Sequence, residues 1–179
     1  MIKNNRLRVR EEQIEIHQVP LENGHDWVVL KGTGKARIGK YEHETVKGHL
    51  YVGLQALADD WFNELPLGNG QLVTDVTMVF RGIPVHLEVD LGNMESERLF
   101  NKIDRYAQYA GQGEKVIFVL RDGRYKAGVT GTAIIDYCTE RRLGNFVTAT
   151  LFDNFLEFPL GDVLISPKDG RVSLEQIIG

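Results

Sequence analysis

Lys115–Leu120 (KVIFVL) is an unbroken apolar run set between turn signals. A strand of that composition has no wet face, so it must be covered on both sides, which is the habit of parallel and mixed sheets flanked by helices. The chain before it carries the helix such a sheet needs. In Met94–Ala110 the residues Leu99, Ile103, Tyr106 and Ala110 recur at helical spacing and form one apolar stripe, which Gly111-Gln112-Gly113 ends. Upstream, Val46, Leu50, Leu54, Leu57 and Trp61 predict an amphipathic helix over residues 44–62, stopped by the turn-rich segment 65–70.

Between these helices lie two predicted strands, Gln71–Phe80 and Ile83–Leu91, joined by Arg81-Gly82, the two-residue link of a tight hairpin. Residues 124–142 read as a further helix weakened by Gly128 and Gly131, and FVTATLF and FLEFPL, within 145–165, as strands or strand plus loop. The order from residue 44 is therefore helix, strand, strand, strand-like core, helix, strand, an α/β sandwich with a mixed sheet. Residues 1–43 read differently. Period-two alternation at Leu7, Val9, Ile14 and Ile16, a turn, and the apolar WVVL predict β-hairpin structure ending in the Gly- and Lys-rich loop KGTGKARIGK. The expected division is 1–43 and 44–179.

The bulk properties exclude several classes. With 42% hydrophobic and 26% charged residues over 179 positions, the chain is long enough for a core without staples. No apolar stretch is long enough to span a membrane, and the N-terminus lacks a signal-peptide apolar region. A single cysteine, Cys138, forms no internal disulfide and fits a reducing cytoplasm; its setting in AIIDYCTERR is that of a packed residue, not a nucleophile. Charge is uneven, with eight Lys/Arg against five Asp/Glu over residues 1–40 and thirteen against twenty thereafter. Phosphate neutralisation dominates nucleic-acid affinity, so Lys31, Lys35, Arg37 and Lys40 are candidate DNA contacts, the alternative being a solvated loop. Gly-Thr-Gly at 32–34 is not a phosphate-binding loop, because no Gly-Lys-Ser/Thr follows, and His43 and His49 match no zinc spacing.

Alternation in the strand 83–91 puts Val85, Leu87, Val89 and Leu91 on one face and His86, Glu88 and Asp90 on the other. The ordinary expectation for such a strand is a dry side and a wet one. Asp75, on the neighbouring strand, is disfavoured there by strand propensity. The hairpin brings it near Glu88 or Asp90, where like charges repel unless a cation intervenes. Mg²⁺ or Mn²⁺ selects carboxylate oxygen, so Asp75, Glu88 and Asp90 are candidate metal ligands. His86 is either a ligand to a metal or water or merely hydrogen-bonded. Lys102, Arg105 and Tyr109 share a helix face, read either as solvent-facing with Glu97 and Asp104 as ion-pair partners or as a phosphate contact.

These segments resemble the replication-relaxation family of plasmid and mobile-element proteins. The resemblance is carried by TDVTMVF, HLEVDLGNMES and LFNKIDRYAQY, with Glu88-Val89-Asp90 thirteen positions after Asp75, and by the upstream HLYVGLQAL; it covers about residues 45–120. That family is similar to the PD-(D/E)xK, or restriction endonuclease-like, nucleases, whose core is helix, three strands, helix, strand. The resemblance implies Mg²⁺- or Mn²⁺-dependent cleavage of DNA with Asp75, Glu88, Asp90 and Lys102 as catalytic residues. It also implies DNA contact by Arg98 and Arg105, and a replication or relaxation protein as a possible partner. WVVLKGTGKARIG resembles the wing of a winged helix in reduced form. The chain departs from the nuclease pattern at Asp90, which stands where a lysine is usual; Lys102 on the next helix, or Arg98 or Arg105, would then supply the positive charge. Two other readings remain open: a DNA- or protein-binding module of the same fold that does not cut, and a structural or oligomerising protein, a dimer among the options.

Overall fold

The computed structural model of the chain describes residues 14–18, 26–30 and 38–179. It divides into two compact units, Met1–Glu44 and Thr45–Gly179. In the first, β1 (Ile14–Gln18) and β2 (Asp26–Leu30) pair antiparallel with Ile16 opposite Val28. Leu7, Val9, Lys31, Lys35 and Arg37, and with them most of the segment resembling a wing, lie outside the described residues, and of Lys40 only its helical backbone is described.

The second unit is an α/β fold built on a mixed seven-stranded sheet. Helix α1 (Ile38–Leu54) enters it, followed by β3 (Asp60–Asn63), the short pair β4 (Pro66–Leu67) and β5 (Leu72–Val73), then β6 (Val76–Phe80) and β7 (Ile83–Asp90). Helix α2 (Ser96–Tyr109) crosses to β8 (Lys115–Leu120), α3 (Ala127–Glu140) crosses to β9 (Val147–Leu151), and α4 (Phe152–Glu157), β10 (Leu164–Ser166), β11 (Gly170–Val172) and α5 (Leu174–Ile178) complete the chain. The sheet order is β11-β10-β9-β8-β7-β6-β3. β6 is antiparallel to both β3 and β7, whereas β7, β8 and β9 run parallel. Arg81 and Gly82, both at positive φ (51° and 77°), form the turn between β6 and β7.

Two apolar clusters line the two faces. Val46, Leu50 and Leu54 of α1, with Phe152, Phe155, Leu174 and Ile177, pack on Met78, Val85, Leu87, Val89, Ile117 and Val119. On the opposite face Leu99, Ile103 and Tyr106 of α2, with Ile134 and Cys138 of α3, pack on Val116, Phe118, Leu120 and Val147. Both faces of β8 are buried, as its composition requires. Burying each such Leu, Ile or Phe contributes about 1.5–3 kcal/mol.

Several expected elements differ. The helix expected over 44–62 starts earlier and stops at Leu54, and Trp61 lies in the edge strand β3, opposite Met78. Leu57 and Trp61 keep the apolar pattern because both still pack on the same core after the chain leaves the helix. The strand expected over 71–80 is interrupted at Thr74-Asp75: the Thr74 amide donates to Leu65, and Asp75 uses its side chain on β7. Phe152–Glu157, expected as strand or loop, is helical, with Phe152 and Phe155 buried three residues apart. Most consequential, α2 covers the polar face of β7, so His86, Glu88 and Asp90 are buried instead of wet.

The loops after β7 and β8 interlock at Gly92 and Gly123. The Tyr125 amide donates to the Gly92 carbonyl at 2.7 Å, and a Cβ on Gly123 would sit 2.0 Å from the Leu91 carbonyl oxygen. Gly123→Ala is therefore expected to lower stability in urea denaturation by roughly 1–3 kcal/mol through overpacking. Gly128→Ala in α3, with no atom within 4 Å of the added carbon, is expected to cost nothing.

Candidate functional site

The site is laid out by the hairpin register. Val76 pairs with Leu87 and Thr77 with His86, so the same register continued by one residue sets Asp75 opposite Glu88 on the same side of the sheet. The β6 backbone ends at Val76, and Asp75 Oδ2 takes the place of a ladder carbonyl by accepting from the Val89 amide at 2.9 Å. An aspartate that weakens a strand by propensity is thus retained where its carboxylate replaces a lost main-chain bond.

Glu88 lies beneath α2 and is 1% exposed. Its Oε1 accepts from the Tyr106 hydroxyl and its Oε2 from Lys102 Nζ, so both oxygens are satisfied by residues one helical turn apart. Lys102 Nζ also lies 4.0 Å from Asp75 Oδ2. Lys102 is therefore directed at Glu88 and Asp75, and not at Glu97 or Asp104. Asp104 instead accepts from Tyr137 at 2.9 Å and from Arg141 at 3.0 Å.

Asp90 is 4% exposed and is used differently. Its Oδ1 accepts from the amides of Gly92 (3.1 Å) and Asn93 (3.3 Å), which ties the start of the loop leading into α2. Among the described residues no three His, Cys, Asp or Glu side chains converge as a metal-binding group. Asp75 and Glu88 come together through Lys102, while Asp90 is engaged with its own loop.

His86 belongs to a buried polar ladder. Its Nδ1 meets Thr77 Oγ1 at 2.9 Å, Thr77 meets Thr74 Oγ1 at 3.1 Å, and Nε2 faces Glu114 Oε2 at 2.9 Å. The ring also lies against Tyr106, with centroids 5.6 Å apart. Cys138 is fully buried, and burial pushes its thiol up to about 12, the state of a packed residue.

Beside the carboxylates opens a cleft of about 370 Å³. Arg98, Asn101, Lys102 and Arg105 line it from α2, opposite Leu72 and Val73. Positions 98, 101, 102 and 105 share one helix face and span about 10 Å of its axis. Arg98 and Arg105 are exposed, and neither has an ion-pair partner among the described residues.

Comparisons with protein-family models, with curated proteins and with solved structures found no match.

Of the sequence-derived residues, Asp75, Glu88 and Lys102 are brought together, Arg98 and Arg105 flank the adjoining cleft, and Asp90 stays one residue-pair away on the same face. Tyr106, read from periodicity as a core residue, also holds Glu88; its signal was the i, i+4 relation to Lys102. Thr77 was legible only through the hairpin register. Glu114 reaches His86 from a loop and left no pattern in the sequence.

Burial, with Asp75 adding to it and Lys102 opposing it, pushes the Glu88 carboxyl from its ordinary 4.5 up to about 8. Asp90 is also raised, chiefly by burial, against the pull of its loop amides. The folded state therefore binds protons that the unfolded chain has released. The contribution from Glu88 is fully present below about pH 4.5 and lost as pH rises through about 8. Thermal melts from about pH 5 to about pH 9 are expected to show stability falling with pH, and Glu88→Gln is expected to flatten that fall.

Proposed function

We propose that this chain is a Mg²⁺- or Mn²⁺-dependent DNA endonuclease with a PD-(D/E)xK core, or a DNA-processing factor derived from one, acting in the replication or transfer of a mobile element. The single observation that carries the reading is the meeting of Asp75, Glu88 and Lys102 at the side of a cleft bearing two exposed arginines. The order helix, three antiparallel strands, helix, parallel strand supports it (α1, β3, β6, β7, α2, β8), as does the aspartate at the start of the middle strand. The resemblance of residues 45–120 to the replication-relaxation family supports the biological setting.

The donor set suits a hard cation. Mg²⁺ is commonly held by one or two carboxylates plus substrate phosphate and water, so Asp75 and Glu88 suffice as its protein ligands. When bound, the ion supplies an activated water and stabilises the charge that develops on the phosphate. The chain's own residues do the rest. Tyr106 fixes the rotamer of Glu88. Lys102, reaching the carboxylates from α2, takes the part of the lysine that Asp90 displaces from β7. Asp90 anchors the 91–94 loop and so sets the approach of α2, acting as a positioning residue. Arg98 and Arg105 hold backbone phosphates flanking the scissile one, a role suited to guanidinium groups.

A second reading, the same fold as a non-cutting DNA- or protein-binding module, such as an accessory to a replication or relaxation protein, is favoured by the aspartate at position 90. One assay separates the two. Supercoiled plasmid incubated with Mg²⁺ or Mn²⁺ is expected to be nicked by the wild type, with Asp75→Ala and Lys102→Met slower by on the order of 10²-fold or more. Equal background from all three proteins would end the nuclease reading. For a nuclease and for a non-cutting DNA-binding module alike, Arg98→Ala and Arg105→Ala are each expected to weaken DNA binding and to reduce the slope of log affinity against log salt by about 1.

A further inference from the structure

Lys102 occupies the space between the carboxyl groups of Glu88 on β7 and of Asp75 just before β6, donating to Glu88 Oε2 and lying 4.0 Å from Asp75 Oδ2. This is where a cation shared by Asp75 and Glu88 would sit. The same residue lines the basic cleft with Arg98, Asn101 and Arg105. Its side chain is 20% exposed, so its ammonium has an open direction in which to move, on a flexible four-carbon stem.

We propose that Lys102 is a built-in counter-ion that exchanges with the divalent cation: without metal it offsets the charge of Asp75 while donating to Glu88, and on metal entry it swings into the cleft to meet substrate phosphate. The inference rests on Asp75 and Glu88 being the metal ligands. Its physical basis is the repulsion between an ammonium and a divalent ion competing for the same carboxylate oxygens, a repulsion that grows in a site of low effective dielectric. Glu88 keeps its orientation during the exchange, because Tyr106 holds the other oxygen. In the cleft the displaced ammonium would become the third positive charge beside Arg98 and Arg105. Metal and phosphate backbone then strengthen each other's binding, and by linkage the effect is reciprocal.

The exchange makes removal of a positive charge improve cation binding only if Lys102 competes with the metal. Mn²⁺ titration calorimetry and thermal melting on the full chain compare the wild type with Lys102→Met, which keeps the stem and loses the charge, and with Lys102→Arg, which keeps a charge. Lys102→Met is expected to bind Mn²⁺ tighter by on the order of tenfold and to gain more melting temperature from it; Lys102→Arg is expected to stay close to wild type. Independently of any variant's folding, reductive methylation of the wild type read by mass spectrometry is expected to label Lys102 faster at saturating Mn²⁺ than without it. If the wild type binds Mn²⁺ but Lys102→Met binds it no tighter, or if Lys102 is labelled equally with and without Mn²⁺, the exchange is overturned while the metal site stands. If neither wild type nor Lys102→Met binds Mn²⁺, the metal-site reading falls and the exchange with it.

Discussion

The pairing register of β6 with β7 is the constraint on which the rest of the site depends. With Val76 opposite Leu87, Asp75 comes opposite Glu88 and Thr77 meets His86. A slip of one residue would turn every polar group of β7 into the aliphatic cluster and every valine toward α2. The register is held at one end by the Arg81-Gly82 turn and at the other by the Asp75 carboxylate on the Val89 amide. Apolar packing on the opposite face, through Met78, Val85, Leu87 and Val89, makes the slip costly.

Once that register is set, the sheet carries a polar stripe into its own interior. Buried polar groups are costly unless their partners are in place, and the three on β7 have them. His86 has Thr77 and Glu114, Glu88 has Tyr106 and Lys102, and Asp90 has the amides of its loop. For Glu88 the supply comes from α2, which presents an apolar stripe for packing and, one turn apart on its flank, two donors. Removing a single partner would leave a buried carboxyl or imidazole unmatched, so the polar contacts and the packing of α2 enforce the same geometry. Burial holds the Glu88 carboxyl above its ordinary range, while Tyr106 and Lys102 secure both its oxygens.

How much of this was legible differs from element to element. The strand 115–120, the helix of 94–110 and the β6–β7 hairpin follow directly from apolar run, period and turn residues, and the structure contains all three. The end of α1 was not legible, because Leu57 and Trp61 continue a helical spacing while packing on the core from a turn and a strand. The α4 segment, short and aromatic, carries no period that separates helix from strand. At the site, the shared face of Glu88 and Asp90 was readable from alternation, yet their burial was not. Nor was the different use of Asp90, since an aspartate two residues before Gly92-Asn93 serves either a ligand or a loop.

The local terms are written along the chain: which residues alternate, which recur at a helical turn, where glycine permits a turn, and therefore that a mixed sheet flanked by helices carries three carboxyl groups near one hairpin. What covers that polar face, and that the Lys102 ammonium reaches it, came from the packing of distant segments. The reason is physical. Strand and helix periods are set by neighbours along the chain, whereas desolvation of Glu88 and the approach of Lys102 depend on α2 crossing over β7 on its way to β8, a contact whose partners lie fourteen and eighteen residues apart.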